Sequence, residues 1–140
     1  MSAPIVCMTF EGEPVSKGRP RVGKGGVVYT PQKTRAAEQA IAWSIRAAHP
    51  GLQPAIGDVD VVLRFAVSDY RRRDIDNLAK LVLDACNGIA WADDAQVVGL
   101  QCILLRGSEH PFTSITVLPV PAGAADINAR LNGHPPRAAR

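Results

Sequence analysis

Apolar residues along this chain alternate in two distinct periods, and the switches between them outline the fold. Residues 5–10 form a short apolar run that reads as a strand, broken by Glu11-Gly12-Glu13-Pro14. Residues 19–30 read as a hairpin, with Lys24-Gly25-Gly26 as the turn and Val27-Val28-Tyr29 as the return strand. Thr30-Pro31 then has the form of a helix start, with Thr30 as N-cap and Pro31 in the first helical position. That helix is expected to run to about Ala48 and to bury Ala37, Ala40, Ile41, Ile45 and Ala48, until His49-Pro50-Gly51 ends it.

A strict two-residue period follows. Val59, Val61, Leu63, Phe65 and Val67 share one face of a strand. A polar connection, residues 68–73, leads to a second helix over residues 75–87. Asp74 is its candidate N-cap and Gly88 its stop. Ile75, Leu78, Ala79, Val82 and Cys86 are expected to be buried, while Asp76, Lys80 and Asp84 recur every fourth position on another face. After a short loop at 89–94, strands are expected at 96–106 and 112–118, joined by a turn. The order β-β-β-α-β-α-β-β predicts an α/β (α+β) domain with a small mixed sheet and two main helices. The domain is expected to occupy residues 1–118. Residues 119–140, rich in Ala, Pro, Gly and Arg and without periodicity, read as a flexible tail.

The net charge of +3 is mild, so distribution matters more than total. Lys17, Arg19, Arg21, Lys24, Lys33 and Arg35 lie in a stretch without a single acid, and Arg71, Arg72 and Arg73 follow later. Nine of the 16 Lys and Arg residues thus occupy two short segments. A polyanion such as nucleic acid would be bound by such a pattern, and a solvated basic hairpin would produce it as well. Cys7, Cys86 and Cys102 are widely spaced, with no C-x-x-C, which argues against a zinc site or a disulfide framework and fits buried free thiols in a reducing cytoplasm. His49, His110 and His134 are scattered in loop-like sequence. No apolar run is long enough to span a membrane, and no signal-peptide pattern opens the chain.

The candidate chemistry lies in Arg71-Arg72-Arg73-Asp74-Ile75-Asp76-Asn77-Leu78-Ala79-Lys80 and Trp91-Ala92-Asp93-Asp94-Ala95-Gln96-Val97. Carboxylates in a D-x-D pair offer oxygen ligands to a hard divalent cation, and arginines beside them attract phosphate. Each residue also has a plainer account. Asp74 serves equally well as an N-cap, Asp76 as a first-turn acid, Asp93 and Asp94 as turn residues, and Lys80 as an i,i+4 partner of Asp76 or Asp84. The spacing leaves open which end of the second helix Asp94 returns to. Trp91 is the one large aromatic able to anchor that loop. Gly18 to Gly25 nearly matches a phosphate-binding loop, but Gly25 replaces the required Ser or Thr and a strand follows instead of a helix, so no nucleotide cofactor is expected.

These residues resemble the RusA family of Holliday junction resolvases. The central match is to an R-R-x-D-x-D-N-x-x-K core and continues through Leu83-Asp84-Ala85, Asn87-Gly88 and the Trp91 to Val97 segment. Lys17-Gly18-Arg19-Pro20-Arg21 and Tyr29-Thr30-Pro31 are similar to a phage and prophage branch. The resemblance spans roughly residues 10–117 and omits the tail. It implies a cytoplasmic homodimer of a bacterial or phage-infected cell, with Mg²⁺-dependent active sites (Mn²⁺ as substitute) in a basic cleft for four-way DNA. Asp74, Asp76 and Asp94 then correspond to metal-binding catalytic acids, Lys80 to the catalytic lysine, and Asp93 to a neighbouring acid. Lys17, Arg19, Arg21, Lys24, Lys33, Arg71, Arg72 and Arg73 are the expected DNA-binding residues. The expected activity is paired nicking of Holliday junctions. A broader branched-DNA or flap nuclease is one alternative and a non-catalytic DNA-branch binding module is another.

Overall fold

The computed structural model describes residues 3–18, 21–29 and 31–121; of Arg21 only the backbone is described. Six strands and two helices follow the order expected: β1 Val6–Glu11, β2 Arg21–Val22, β3 Val28–Tyr29, α1 Gln32–Ala48, β4 Val59–Ala66, α2 Ile75–Cys86, β5 Val97–Leu105 and β6 Phe112–Pro119. Four strands form one mixed sheet in the order β1-β6-β4-β5, and β2 and β3 form a separate two-stranded ribbon. β4 pairs parallel with β5 and antiparallel with β6, and β1 pairs antiparallel with β6.

The register explains the core. Val61 lies beside Val117 and Leu100, Leu63 beside Ile115 and Cys102, and Phe65 beside Thr113 and Leu104. Val6, Val59, Val61, Leu63, Phe65, Ile115 and Val117 make the buried apolar face on which both helices rest, with Cys102 and Leu104 packed against it. Ile41 and Ile45 of α1 and Leu78, Leu81, Val82, Ala85 and Cys86 of α2 complete it. The central strand is buried on both faces, because Asp60, Val62 and Ala66 on the far face are also covered. This goes beyond the one-faced alternation read from the sequence, since a strand with neighbours on both sides is shielded by their side chains as well as by the helices.

Several local readings shift. Pro31 has extended backbone and α1 begins one residue later; Thr30, its expected cap, lies outside the described residues. The buried face of α1 is narrower than expected: Ala40 and Ala48 are exposed, and Thr34 is buried in their stead. Ile75 is 37% exposed at the first turn of α2. Cys7 is exposed and Cys86 buried, so only part of the expectation of buried thiols holds. The tail beginning at residue 122 lies outside the described residues, and β6 runs one residue past the boundary expected at 118.

Two glycines matter for the loops. Gly88 stops α2 with φ +80. Gly107 has φ +70, and a Cβ there would meet the Tyr70 phenol oxygen unless that exposed side chain moved. The turn after β5 is tied to the connection before α2 by the Gly107 amide, which donates to the Asp69 carbonyl at 3.3 Å.

Candidate active site

Each element of the site is placed by its own local logic. Asp74 occupies the N-cap position of α2 with extended backbone (φ -90, ψ 115), but its side chain makes no capping hydrogen bond. Its carbonyl opens the helical ladder, accepting from the amides of Asn77 and Leu78. The carboxylate is left facing solvent. Asp76, in the first turn, accepts from the Asn77 amide at 3.0 Å through one oxygen. Its negative charge is favourable near the helix N-terminus.

Asp94 arrives on a loop held by several hydrogen bonds. Asp93 caps a single 3-10 turn, Asp94–Gln96, accepting from the Ala95 amide. Gln96 accepts from the amides of Ala92 and Asp93 and donates to the carbonyls of Ala55 and Gly57. Trp91 is fully buried, and its indole Nε1–H donates to Asp94 Oδ1 at 2.9 Å. The aromatic anchor of the loop therefore also orients its acid. Burial, and secondarily the negative charge of Asp94, pushes the Cys86 thiol up to about 12. Cys86 is thus a protonated core residue. Asp93 acts as a cap.

Asp76, Lys80, Asp84 and Asp94 line one open groove between α2 and β5, floored by Ala79, Leu83, Val97 and Leu100. This answers the question left by the spacing. Because β4 and β5 run parallel, the loop before β5 must return to the end of the sheet where β4 began. Asp94 therefore comes alongside the middle and C-terminal half of α2. The groove reaches Asp76 in the first turn, and Asp74, the N-cap two residues earlier, is not among its lining residues. Among the described residues, no three His, Cys, Asp or Glu side chains are drawn into a metal-binding cluster. The donors present are carboxylate oxygens, and among the described residues one oxygen each of Asp76 and Asp94 carries no protein hydrogen bond. That donor set is of the kind that suits a hard divalent cation.

The basic residues divide into two groups. Lys17 Nζ bonds Glu38 of α1 at 2.5 Å and Asp84 of α2 at 3.0 Å, and only 17% of its side chain is exposed. Burial works against its charge, but the two carboxylates outweigh that and hold the ammonium above its ordinary 10.5. The Lys17 amide donates to the Asn77 carbonyl, and the Gly18 amide to Thr34 Oγ1. A Cβ at Gly18 would fall 2.8 Å from that hydroxyl oxygen, so glycine permits the close approach. Arg73 is likewise mostly buried. Its Nη2 bonds both oxygens of Asp69 and lies 3.8 Å from Glu13. Arg71 bonds Asp69 through Nε while 82% of its side chain stays exposed. Arg72 is exposed, as are Lys24 in the ribbon turn and Lys33 in the first turn of α1. Arg19 and the side chain of Arg21 lie outside the described residues.

Sequence reasoning missed the structural duties of Lys17, Arg73 and Gln96. The signal for the first two was the nearness of acids in space, which a linear sequence hides. Gln96 three residues after Asp93 had the spacing of a capping box and was legible.

The groove presents the carboxylates of Asp76, Asp84 and Asp94 and the ammonium of Lys80 to solvent. A family model described as Endodeoxyribonuclease RusA matches residues 11–118. The chain is also 33% identical over 103 residues to the crossover junction endodeoxyribonuclease RusA of Shigella sonnei (strain Ss046), an alignment covering 73% of this chain and 78% of that relative. The chain belongs to the RusA endodeoxyribonuclease family.

Proposed function

We propose that the protein is a structure-selective endodeoxyribonuclease that resolves Holliday junctions by nicking two opposing strands. The observation carrying this reading is the convergence of Asp76, Lys80 and Asp94 on one groove in a chain of this family. Asp76 and Asp94, with Asp74 at the helix start, are the residues that would hold Mg²⁺, with Mn²⁺ as a substitute. When bound, such a cation polarises the phosphate and lowers the pKa of an attacking water.

The chain's own residues supply the rest. Lys80, one turn into α2, donates to the phosphate oxygens as negative charge develops on them. Arg71 and Arg72 flank the N-terminus of α2 and orient the scissile strand through its phosphates. Arg19, Arg21, Lys24 and Lys33 are the further residues that would neutralise phosphates of the junction's arms. A homodimer would present two such grooves, as paired nicking requires. The reducing cytoplasm of a bacterial or phage-infected cell suits a chain with free thiols.

Cleavage of a synthetic four-way junction, in Mg²⁺ and in EDTA, tests this directly, with flap and linear duplex DNA as comparison substrates. Junction nicking in Mg²⁺ alone is expected. Asp76→Asn and Asp94→Asn should each abolish it while leaving junction binding intact or tighter, because a negative charge near phosphate is removed. Equal cutting of flaps and junctions would favour the broader branched-DNA nuclease, and binding without cutting would favour a non-catalytic module.

A further inference from the structure

Lys80 lies between two acids at helical spacing, Asp76 four residues before it and Asp84 four residues after it. Such neighbours ordinarily pair with a lysine on an exposed helix face. Among the described residues Lys80 pairs with neither, and no ion pair to it exists within 4.0 Å. Asp84 is engaged elsewhere, by Lys17, which reaches in from the loop after β1 and is itself fixed by Glu38. The loop carrying Lys17 is secured independently, through the Lys17 amide on Asn77 and the Gly18 amide on Thr34.

We infer that Lys17 is a positioning residue that holds Asp84 away from Lys80, keeping the lysine free for the DNA phosphate. The inference rests on the nuclease reading above. Without Lys17, the Asp84 carboxylate stands uncompensated in the groove. It then has two effects. It competes with phosphate for Lys80, and it repels the incoming strand. Both effects are electrostatic and both depend on Asp84. Lys17 thus acts through Asp84 and touches no substrate, in contrast to the exposed arginines.

The test measures single-turnover cutting of a four-way junction at saturating DNA. Lys17→Met should cut roughly three- to ten-fold more slowly, the size expected of one uncompensated charge in a solvent-open groove. Lys17→Arg should cut at nearly the parent rate, because a guanidinium can still bridge Glu38 and Asp84. The decisive variant is Lys17→Met with Asp84→Asn, which removes the stray carboxylate and should recover most of the lost rate. Thermal melting of each variant verifies that it is folded. Should Lys17→Met fail to fold, the double variant, which lacks the Asp84 carboxylate, is compared with Lys17→Met/Glu38→Gln, which lacks the Glu38 one and keeps Asp84 charged; only the former should cut well.

Parent-like cutting by a folded Lys17→Met would overturn the inference. So would a double variant as slow as Lys17→Met, which would reduce Lys17 to a clamp between the helices. Absence of cutting by the parent chain itself would instead overturn the nuclease reading, and the two failures are therefore distinguishable.

Discussion

Lys80 carries the sharpest residue-scale expectation, because a single positive charge is asked to stabilise charge that develops only during reaction. Lys80→Ala should keep junction affinity near its parent value and cut about 10²–10³-fold more slowly at saturating DNA, as seen when one transition-state donor is removed. Near-parent cutting would make it a solvated helix residue. Asp69 offers a second expectation. The side-chain hydrogen bond from Arg71, partly opposed by desolvation, together with the Arg71 amide and the Arg73 guanidinium, holds its carboxyl below the usual 3.8. A depressed carboxyl contributes stability above its unfolded pKa and loses it as pH falls through the folded value. The melting temperature of the parent chain should therefore exceed that of Asp69→Asn at neutral pH. The gap should close as pH drops below 3.8, and a gap independent of pH would assign the difference to packing.

At the scale of elements, the loop between α2 and β5 does most to assemble the groove. Trp91 fills the core beneath it and orients Asp94 by one hydrogen bond to a charged acceptor, the stronger kind. Trp91→Phe keeps most of the apolar volume and removes that donor. It should cost about 2–4 kcal/mol of unfolding free energy in urea, from the missing hydrogen bond and the void together. Cutting should slow as well, because Asp94 loses its fixed orientation. Unchanged cutting in a destabilised variant would show that Gln96 and Asp93 alone hold the loop in place. The connection from β4 to α2 is built by the same kind of tie, with Arg73 and Asp69 on one side and Gly107 under Tyr70 on the other.

On the scale of the whole molecule, positive charge is split between internal ties and open surface. Lys17 and Arg73 hold the fold together, whereas Arg71, Arg72, Lys24 and Lys33 face outward. Changing Arg19, Arg21, Lys24 and Lys33 together to Ala should weaken junction binding. It should also flatten the slope of log affinity against log salt by about 0.9 for each DNA phosphate that the variant no longer neutralises. The catalytic rate at saturating DNA should stay the same. An unaltered slope would place the DNA path away from the ribbon and the start of α1.

The sequence by itself determined the element order, because apolar periods of two and of nearly four residues are local properties of the chain. It also carried the family membership, because D-x-D-N-x-x-K is contiguous and is read without knowledge of the fold. Even the Trp91 anchor was legible, as a single large aromatic in a short polar loop. Tertiary structure alone decided which groups meet. Parallel pairing of β4 with β5 carried Asp94 alongside α2, into the groove lined by Asp76, Lys80 and Asp84, and no spacing rule encodes strand direction. The same folding brought Lys17 between Glu38 and Asp84, residues far apart in the chain, and turned Arg73 inward onto Asp69. A basic run in sequence reports only total charge. Whether each cation meets a carboxylate or the solvent depends on which surfaces the sheet brings together, and that is a property of the folded chain.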